Sequence, residues 1–243
     1  MNNKKREYKN IPDSICMKEL IILFIYIIVI IVNISKLIIT TNNKYFVPIA
    51  ILLGYFTGDF FSGLYHYFMD TYDFPFLKEL HKNFRKHHDD PLSMEKYPLS
   101  TSITEIMPVG IIMGILSSYT LTNYPLILLS SIIANLVMCS AQIAHRFAHR
   151  RTHEYDENGQ KQFYIPDFIK FLQDTKIILN NKEHKKHHLT EVMNYCISNG
   201  NTSVILDKTI DIFDLPVSTY KNSDNIHKKQ TNVEKYKIID KYI

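Results

Sequence analysis

Eight of the eleven histidines in this chain fall into four tight groups. They are His66-x3-Asp70, His87-His88, His145-x3-His149 and His184-x2-His187-His188. Residues three or four apart on a helix share a face. His145 and His149 can therefore aim two imidazoles at one point, and so can His184 with His187 or His188. The adjacent pair His87-His88 points about 100° apart, which suits one ligand to each of two ions. Imidazole suits iron, zinc, copper or nickel. Eight ring nitrogens offer two metals four protein ligands each, with positions left for oxygen. Asp70, Asp89 and Asp90 stand close enough to ligate as well, or to orient the ring N–H groups. A lone H-x3-H pair is usually incidental, and His-His in a Lys-rich loop is usually a solvated surface. Four such groups, each beside an apolar segment, are not explained that way. His81, His153 and His227 stand outside the groups and read as ordinary histidines.

The elements that must carry these groups are four apolar segments. Glu19–Thr40, Tyr45 to about Gly63, Ile103–Thr122 and Tyr124 to about Ala144 each have about the 20 residues a bilayer span needs. Asp59 sits inside the second segment, where a charge is costly and marks a functional site by default. Offsets of seven and eleven residues put Asp59, His66 and Asp70 near one helix face. Ser102-Ile103-Thr104-Glu105 has the form of a capping box, predicting a helix start there. Apolar residues at helical spacing over Phe163–Leu179 predict a helix lying along the membrane surface. Four spans in two hairpins put both termini and all four histidine groups on one side. Lys36 and Lys44 alone fall near the other side, so the positive-inside rule makes the histidine side cytosolic. The expectation is an all-α integral membrane protein: four transmembrane helices in two hairpins under a cytosolic, histidine-rich helical cap. Its predicted parts are a basic N-terminus, 1–18, a membrane-embedded domain, 19–207, and a polar tail, 208–243.

Composition narrows the function classes. The net charge of +4 does not call for nucleic acid, and none is expected as a partner. Cys16, Cys139 and Cys196 are widely spaced and odd in number, so they form neither a zinc pattern nor a disulfide framework. The chain has no P-loop, no GxGxxG and no serine nucleophile motif.

The histidine motifs resemble those of the plasmanylethanolamine desaturase family, also called the Kua or lipid desaturase domain family. It includes the plant plastid enzyme that makes a trans double bond in phosphatidylglycerol. The matching runs are SGLYHYFMD (62–70), FRKHHDDP (84–91), HRFAH (145–149), LQD (172–174), HKKHH (184–188) and NYCI (194–197). They cover about residues 54 to 207. Tyr67 and Phe147 stand where the family pattern has Trp, and Thr175-Lys176 where plasmanylethanolamine members have Trp-His. NYCI, Gly200 and Leu206-Asp207 are similar to the plant branch. The resemblance implies His66, His87, His88, His145, His149, His184, His187 and His188 as ligands of two iron ions. It implies Asp70 as the acid of the catalytic set. Asp59, Gln142, Gln173 and Asp174 are candidates to support these ligands.

The chemistry so implied removes two hydrogens from an unactivated C–C bond of a lipid chain. No amino-acid side chain breaks such a C–H bond, so an oxygen-activating metal centre has to. The expected enzyme is an oxidoreductase that uses O2. Its electrons come from an external donor, cytochrome b5 or a ferredoxin. The first substrate expected is an alkyl-ether phospholipid, converted to the vinyl ether of a plasmalogen. The alternatives are an acyl-phospholipid desaturase or hydroxylase acting near the carbonyl, and a non-catalytic metal-binding regulator. Complete histidine groups speak against the last. The expected location is the endoplasmic reticulum membrane in a eukaryote, or the cytoplasmic membrane in a bacterium.

Overall fold

The computed structural model describes residues 15–40, 45–72, 75, 78–155 and 159–217. The tail beyond 217, the turn at 41–44, Asn158 and His227 lie outside the described residues. The helices in chain order are α1 (Met17–Thr40), α2 (Val47–Thr71), α3 (Lys78–Asp89), α4 (Leu99–Thr104), α5 (Met107–Thr120), α6 (Pro125–Thr152), α7 (Asp167–Asp174), α8 (Asn181–Thr190) and α9 (Ser203–Ile212). A 3-10 turn, Ser93–Lys96, lies between α3 and α4. A single bridge between Tyr155 and Lys161 is the one β feature among the described residues.

Four segments are long and apolar enough to cross a membrane: α1, α2, the stretch Leu99–Thr120 and α6. Their outer faces expose Ile38, Ile39, Leu53, Ile112 and Leu116, which suits lipid rather than water. α2 lies along α6, and α1 along α5. Glycines allow the first pairing. A Cβ on Gly58 would stand 2.5 Å from the Ala134 carbonyl oxygen of α6, so only a residue without one permits this approach. Buried amides tie the other arms together. Asn33 Nδ2 donates to Gly114 O (3.0 Å), and Tyr26 Oη donates to Asn135 Oδ1 (3.0 Å).

Two expectations are corrected. The predicted capping box does not form. Helix has already begun at Leu99, after Pro98, and Ser102 is buried in α4, where its Oγ accepts from Arg146 (3.5 Å). The interruption falls at Glu105-Ile106 because Pro108 has no N–H to give the carbonyl of Thr104. α9 continues past residue 207, with Leu206 and Ile210 both buried against Tyr67 and Cys196. The second span also runs further than expected, to Thr71, and so carries both His66 and Asp70 on one unbroken helix.

Candidate metal centre

Four helices deliver the histidines. α2 supplies His66 and Asp70, α3 supplies His87 and His88, α6 supplies His145 and His149, and α8 supplies His184, His187 and His188. Their ligand atoms gather into two groups, each with members within 4.8 Å of one another. One group is His87, His145, His149, His184 and His188. The other is His66, Asp70, His88 and His187. All eight predicted histidines and Asp70 are thus brought together. The division is five imidazoles against three imidazoles and a carboxylate, where the sequence offered four nitrogens to each metal.

Backbone carbonyls set the rings. His66 Nδ1 donates to Tyr195 O (3.1 Å), His187 Nδ1 to Met193 O (2.8 Å), and His87 Nδ1 to Phe84 O. A ring that donates through Nδ1 presents the lone pair of Nε2 to its partner. The carbonyls of Met193 and Tyr195 reach the site because α8 ends on Glu191 in the left-handed region (φ 57°), which turns the chain back beneath the helix. Asn180 caps the start of the same helix, accepting from Lys182 N (2.8 Å). Gln142 Oε1 lies 3.3 Å from His145 Nδ1, within reach of that ring's N–H. Its Nε2 has no hydrogen-bond partner among the described residues. A cavity of about 50 Å³ opens here, lined by Phe84, His87, Ser102, Glu105, Gln142 and His145.

The donor set fits metal ions. Nε2 of His66, His87 and His187 and Oδ2 of Asp70 are buried with no hydrogen bond. His66 Nε2 and His187 Nε2 each stand 3.2 Å from Asp70 Oδ2, and His88 Nε2 stands 3.2 Å from Asp70 Oδ1. In the other group Nε2 atoms face one another: His149 to His145 at 3.1 Å, His184 to His149 and His188 to His184 at 2.9 Å each. Two ligands at right angles on one ion, each about 2.1 Å away, lie about 3.0 Å apart. Burial pushes His87, His184 and His188 well below the ordinary imidazole range, and neighbouring imidazoles push them further. They are therefore neutral and free to ligate.

The other predicted residues lie elsewhere. Asp59 accepts Asn199 N (2.8 Å) and Gly200 N (3.0 Å) through Oδ1, and Thr202 N (2.9 Å) and Oγ1 (2.7 Å) through Oδ2. It supports the loop after the NYCI run, not a ring. Gln173 donates to Leu179 O (3.2 Å), and Asp174 pairs with Arg151 (2.8 Å). Gln173 braces the turn between α7 and α8, and Asp174 ties the end of α7 to α6. His81 holds Met69 O through Nδ1 (2.6 Å), and so it serves the end of α2.

Residues not singled out by the sequence also shape the site. Arg85 donates to Asp70 O (2.8 Å). Glu95 accepts Arg146 (3.1 Å) and Arg150 (2.8 Å), clamping the histidine end of α6 to the 3-10 turn. Burial raises the Glu95 carboxyl, but the hydrogen bonds of Arg150 and Arg146 outweigh it and hold the group below its ordinary value. The HRFAH run hints at such support only through Arg146, one turn before His149.

The family model for the lipid desaturase domain matches residues 55–215, two-thirds of the chain and every helix that bears a ligand. This chain belongs to the lipid desaturase domain family. Among its relatives is a probable fatty acid desaturase of Acanthamoeba polyphaga mimivirus, 27% identical over 173 residues, covering 66% of this chain and 76% of that one. Fatty acid desaturase 4-like 1, chloroplastic, of Arabidopsis thaliana is 26% identical over 175 residues, covering 66% and 52%. Fatty acid desaturase 4, chloroplastic, of the same plant is 25% identical over 162 residues, covering 64% and 46%. The chain thus spans about half the length of these two plant relatives. No solved structure matches it. Within this desaturase domain, the histidine cluster lies at one end of the four helices that are long and apolar enough to cross a membrane.

Proposed function

We propose that this chain is an oxygen-dependent di-iron desaturase of membrane phospholipids, acting on chain carbons close to the headgroup. The observation that supports it most is the cluster itself: eight imidazoles and one carboxylate, converging in two groups at the end of the spans. His87, His145, His149, His184 and His188 would hold one iron, and His66, Asp70, His88 and His187 the other. When bound, the two irons supply oxygen activation and accept the electrons that the reaction needs from an external donor.

The chain's own residues do the rest. Phe84, Met193 and Tyr195 hold three rings by their carbonyls, and Gln142 holds a fourth. Packing keeps the ligands out of water. The depth of the site selects the carbons. His66 lies nineteen residues beyond Val47 on α2 and His145 twenty beyond Pro125 on α6. At 1.5 Å per residue both stand about 28–30 Å from the far end, so near the opposite edge of a ~30 Å hydrocarbon core. A lipid with its headgroup in that interface offers its first few carbons.

Two substrates fit this depth. The relatives named fatty acid desaturases favour an acyl chain, and this depth suits a double bond near its carbonyl. An alkyl ether oxidised to a vinyl ether stands second, on the motif resemblance. For the donor, α3 and α8 turn histidines inward and expose Lys82, Lys86, Lys182 and Lys185. That face suits an acidic carrier such as cytochrome b5 or a ferredoxin. The histidine side is taken as cytosolic from the Lys and Arg distribution, which gives the endoplasmic reticulum membrane in a eukaryote or the cytoplasmic membrane in a bacterium.

Expression in a cell without such a desaturase, followed by lipid analysis with and without O2, tests the reading. The expected product is a new double bond near the acyl carbonyl that requires O2. Acid-labile vinyl ethers instead assign the second substrate. A double bond near mid-chain, or no new product, overturns the proposal.

A further inference from the structure

Five polar residues line one side of α2: Tyr55, Asp59, Ser62, His66 and Asp70. The last two belong to the ligand cluster. The first three hold backbone from well beyond the last span. Tyr55 Oη donates to Ile177 O (2.9 Å). Asp59 accepts the N–H groups of Asn199, Gly200 and Thr202. Ser62 Oγ accepts Ile197 N and Ser198 N (3.2 Å each). From the same loop, Ser198 Oγ donates to Val137 O of α6 (3.2 Å).

These anchors give the depth of the loops. Tyr55 is eight residues and Asp59 twelve residues beyond Val47, and Val137 is twelve beyond Pro125. Tyr55, Asp59 and Val137 therefore stand about 12–18 Å from the far end of the bundle, by two helices used independently, and Ser62, fifteen residues beyond Val47, about 22 Å. The edge at which His66 and His145 emerge is about 28–30 Å from that end, so the loops reach about 10–18 Å inside it. Irregular backbone is tolerated at such depth only where protein groups satisfy it. Tyr55, Asp59 and Ser62 do so here.

The outward side chains agree. On and beside α7, Tyr164, Phe168, Phe171 and Ile177 are exposed, and on and beside α9, Val204, Ile205, Ile212 and Phe213 are exposed. Three charges in this stretch turn back toward polar partners, Lys170 to Glu154 (2.7 Å), Asp174 to Arg151 (2.8 Å) and Lys176 to Glu183 (3.8 Å), while Asp167 and Asp214, at the ends of the two elements, are exposed. Lys208 is exposed, and its long stem lets the ammonium reach the headgroups. The apolar faces continue the lipid-facing surface of α2 and α6.

We propose that residues 163–179 and 197–217, on either side of α8, form a re-entrant wedge inserted in the histidine-side leaflet, with α7 and α9 in contact with lipid. The occupant of these two faces is the acyl region of the membrane. A groove of about 220 Å³ between α6 and the wedge, lined by Val137, Ile143, Phe147, Leu172 and Ile178, opens on the same lipid. The wedge does not depend on the reaction assigned above, and each stands or falls alone.

Single cysteines carrying a fluorescent label test it, in the full chain with Cys16→Ser. The positions are Phe168, Val204 and Phe213, with Leu53 as a membrane control and Lys185 as an aqueous control. The protein is placed in phosphatidylcholine vesicles brominated midway along the acyl chains. Labels at Phe168, Val204 and Phe213 should be quenched to the extent seen at Leu53, while Lys185 is not quenched. All five positions are exposed, so labelling leaves the packing intact; co-elution with the unlabelled protein checks this. Three unquenched labels, at positions whose unlabelled cysteines react freely with an impermeant thiol reagent, would place the element in water and overturn the proposal. Quenching confined to α7 or to α9 overturns it too, because the wedge needs both.

Discussion

Asp59 and Asp70 are the same residue type on the same helix, eleven positions apart and equally buried, yet they serve different regions. Asp59 faces backbone N–H and hydroxyl donors, four of them at 2.7–3.0 Å. Its charge is met by hydrogen bonds, and the region around it is complete without anything else. Asp70 faces Nε2 atoms of His66, His88 and His187, all at 3.2 Å, and its Oδ2 makes no hydrogen bond. At least two of those rings already donate through Nδ1. A carboxylate and imidazole nitrogens converging on one point form a group that could hold a cation. The first region is architecture and the second is a site, and the partners decide which.

The largest effect that sharpens this contrast is on the reaction. Asp70→Ala should lower desaturation more than about 100-fold, beyond what loss of a supporting residue does. The fold should remain, as judged by elution and helicity. Next comes Asp59→Ala, which leaves buried N–H groups of three residues unpaired at about 1–3 kcal/mol each. The expected outcome is a large fall in thermal stability in detergent, with iron content per folded chain kept. Iron lost from a folded Asp59→Ala protein would break the contrast.

Between these two aspartates lies the limit of what the sequence made legible. Histidines show themselves because spacings of three and four share a helix face, so all eight were identifiable. The spans were identifiable because a bilayer demands length and apolarity. The carbonyls of Phe84, Met193 and Tyr195 carry no side-chain signal, and the left-handed turn at Glu191 that delivers two of them uses a residue with no preference for it. Asp59 and Asp70 look alike by offset, since the loop that meets Asp59 is 140 residues away. The early start at Leu99, after Pro98, was hidden by a capping-box pattern, and the break at Glu105-Ile106 is set by Pro108.

Smaller effects probe the surroundings. Gln142→Ala frees the His145 ring and should cost about 10- to 100-fold in metal affinity, read by chelator competition. Glu95→Gln removes the clamp on Arg146 and Arg150; breaking a buried pair costs about 3–5 kcal/mol at most, and less here because Arg150 is partly exposed. Because the folded carboxyl of Glu95 sits below its unfolded value, its stabilisation is full above the unfolded pKa. It is lost as pH falls through the folded one. Wild type should therefore lose thermal stability on acidification by more than Glu95→Gln does. The smallest effect is on donor reduction. Lys82→Glu with Lys185→Glu should slow it about tenfold at low salt, with the difference shrinking as salt rises.

Iron counting tests the central claim most directly. The purified chain is reconstituted anaerobically with ferrous iron, and bound iron is measured for wild type, Asp70→Ala and Asp59→Asn. Two groups of ligands predict about two irons per chain in wild type, about one in Asp70→Ala, and about two in Asp59→Asn. A wild-type chain that binds no iron, or an Asp70→Ala chain that binds as much as wild type, would contradict the account.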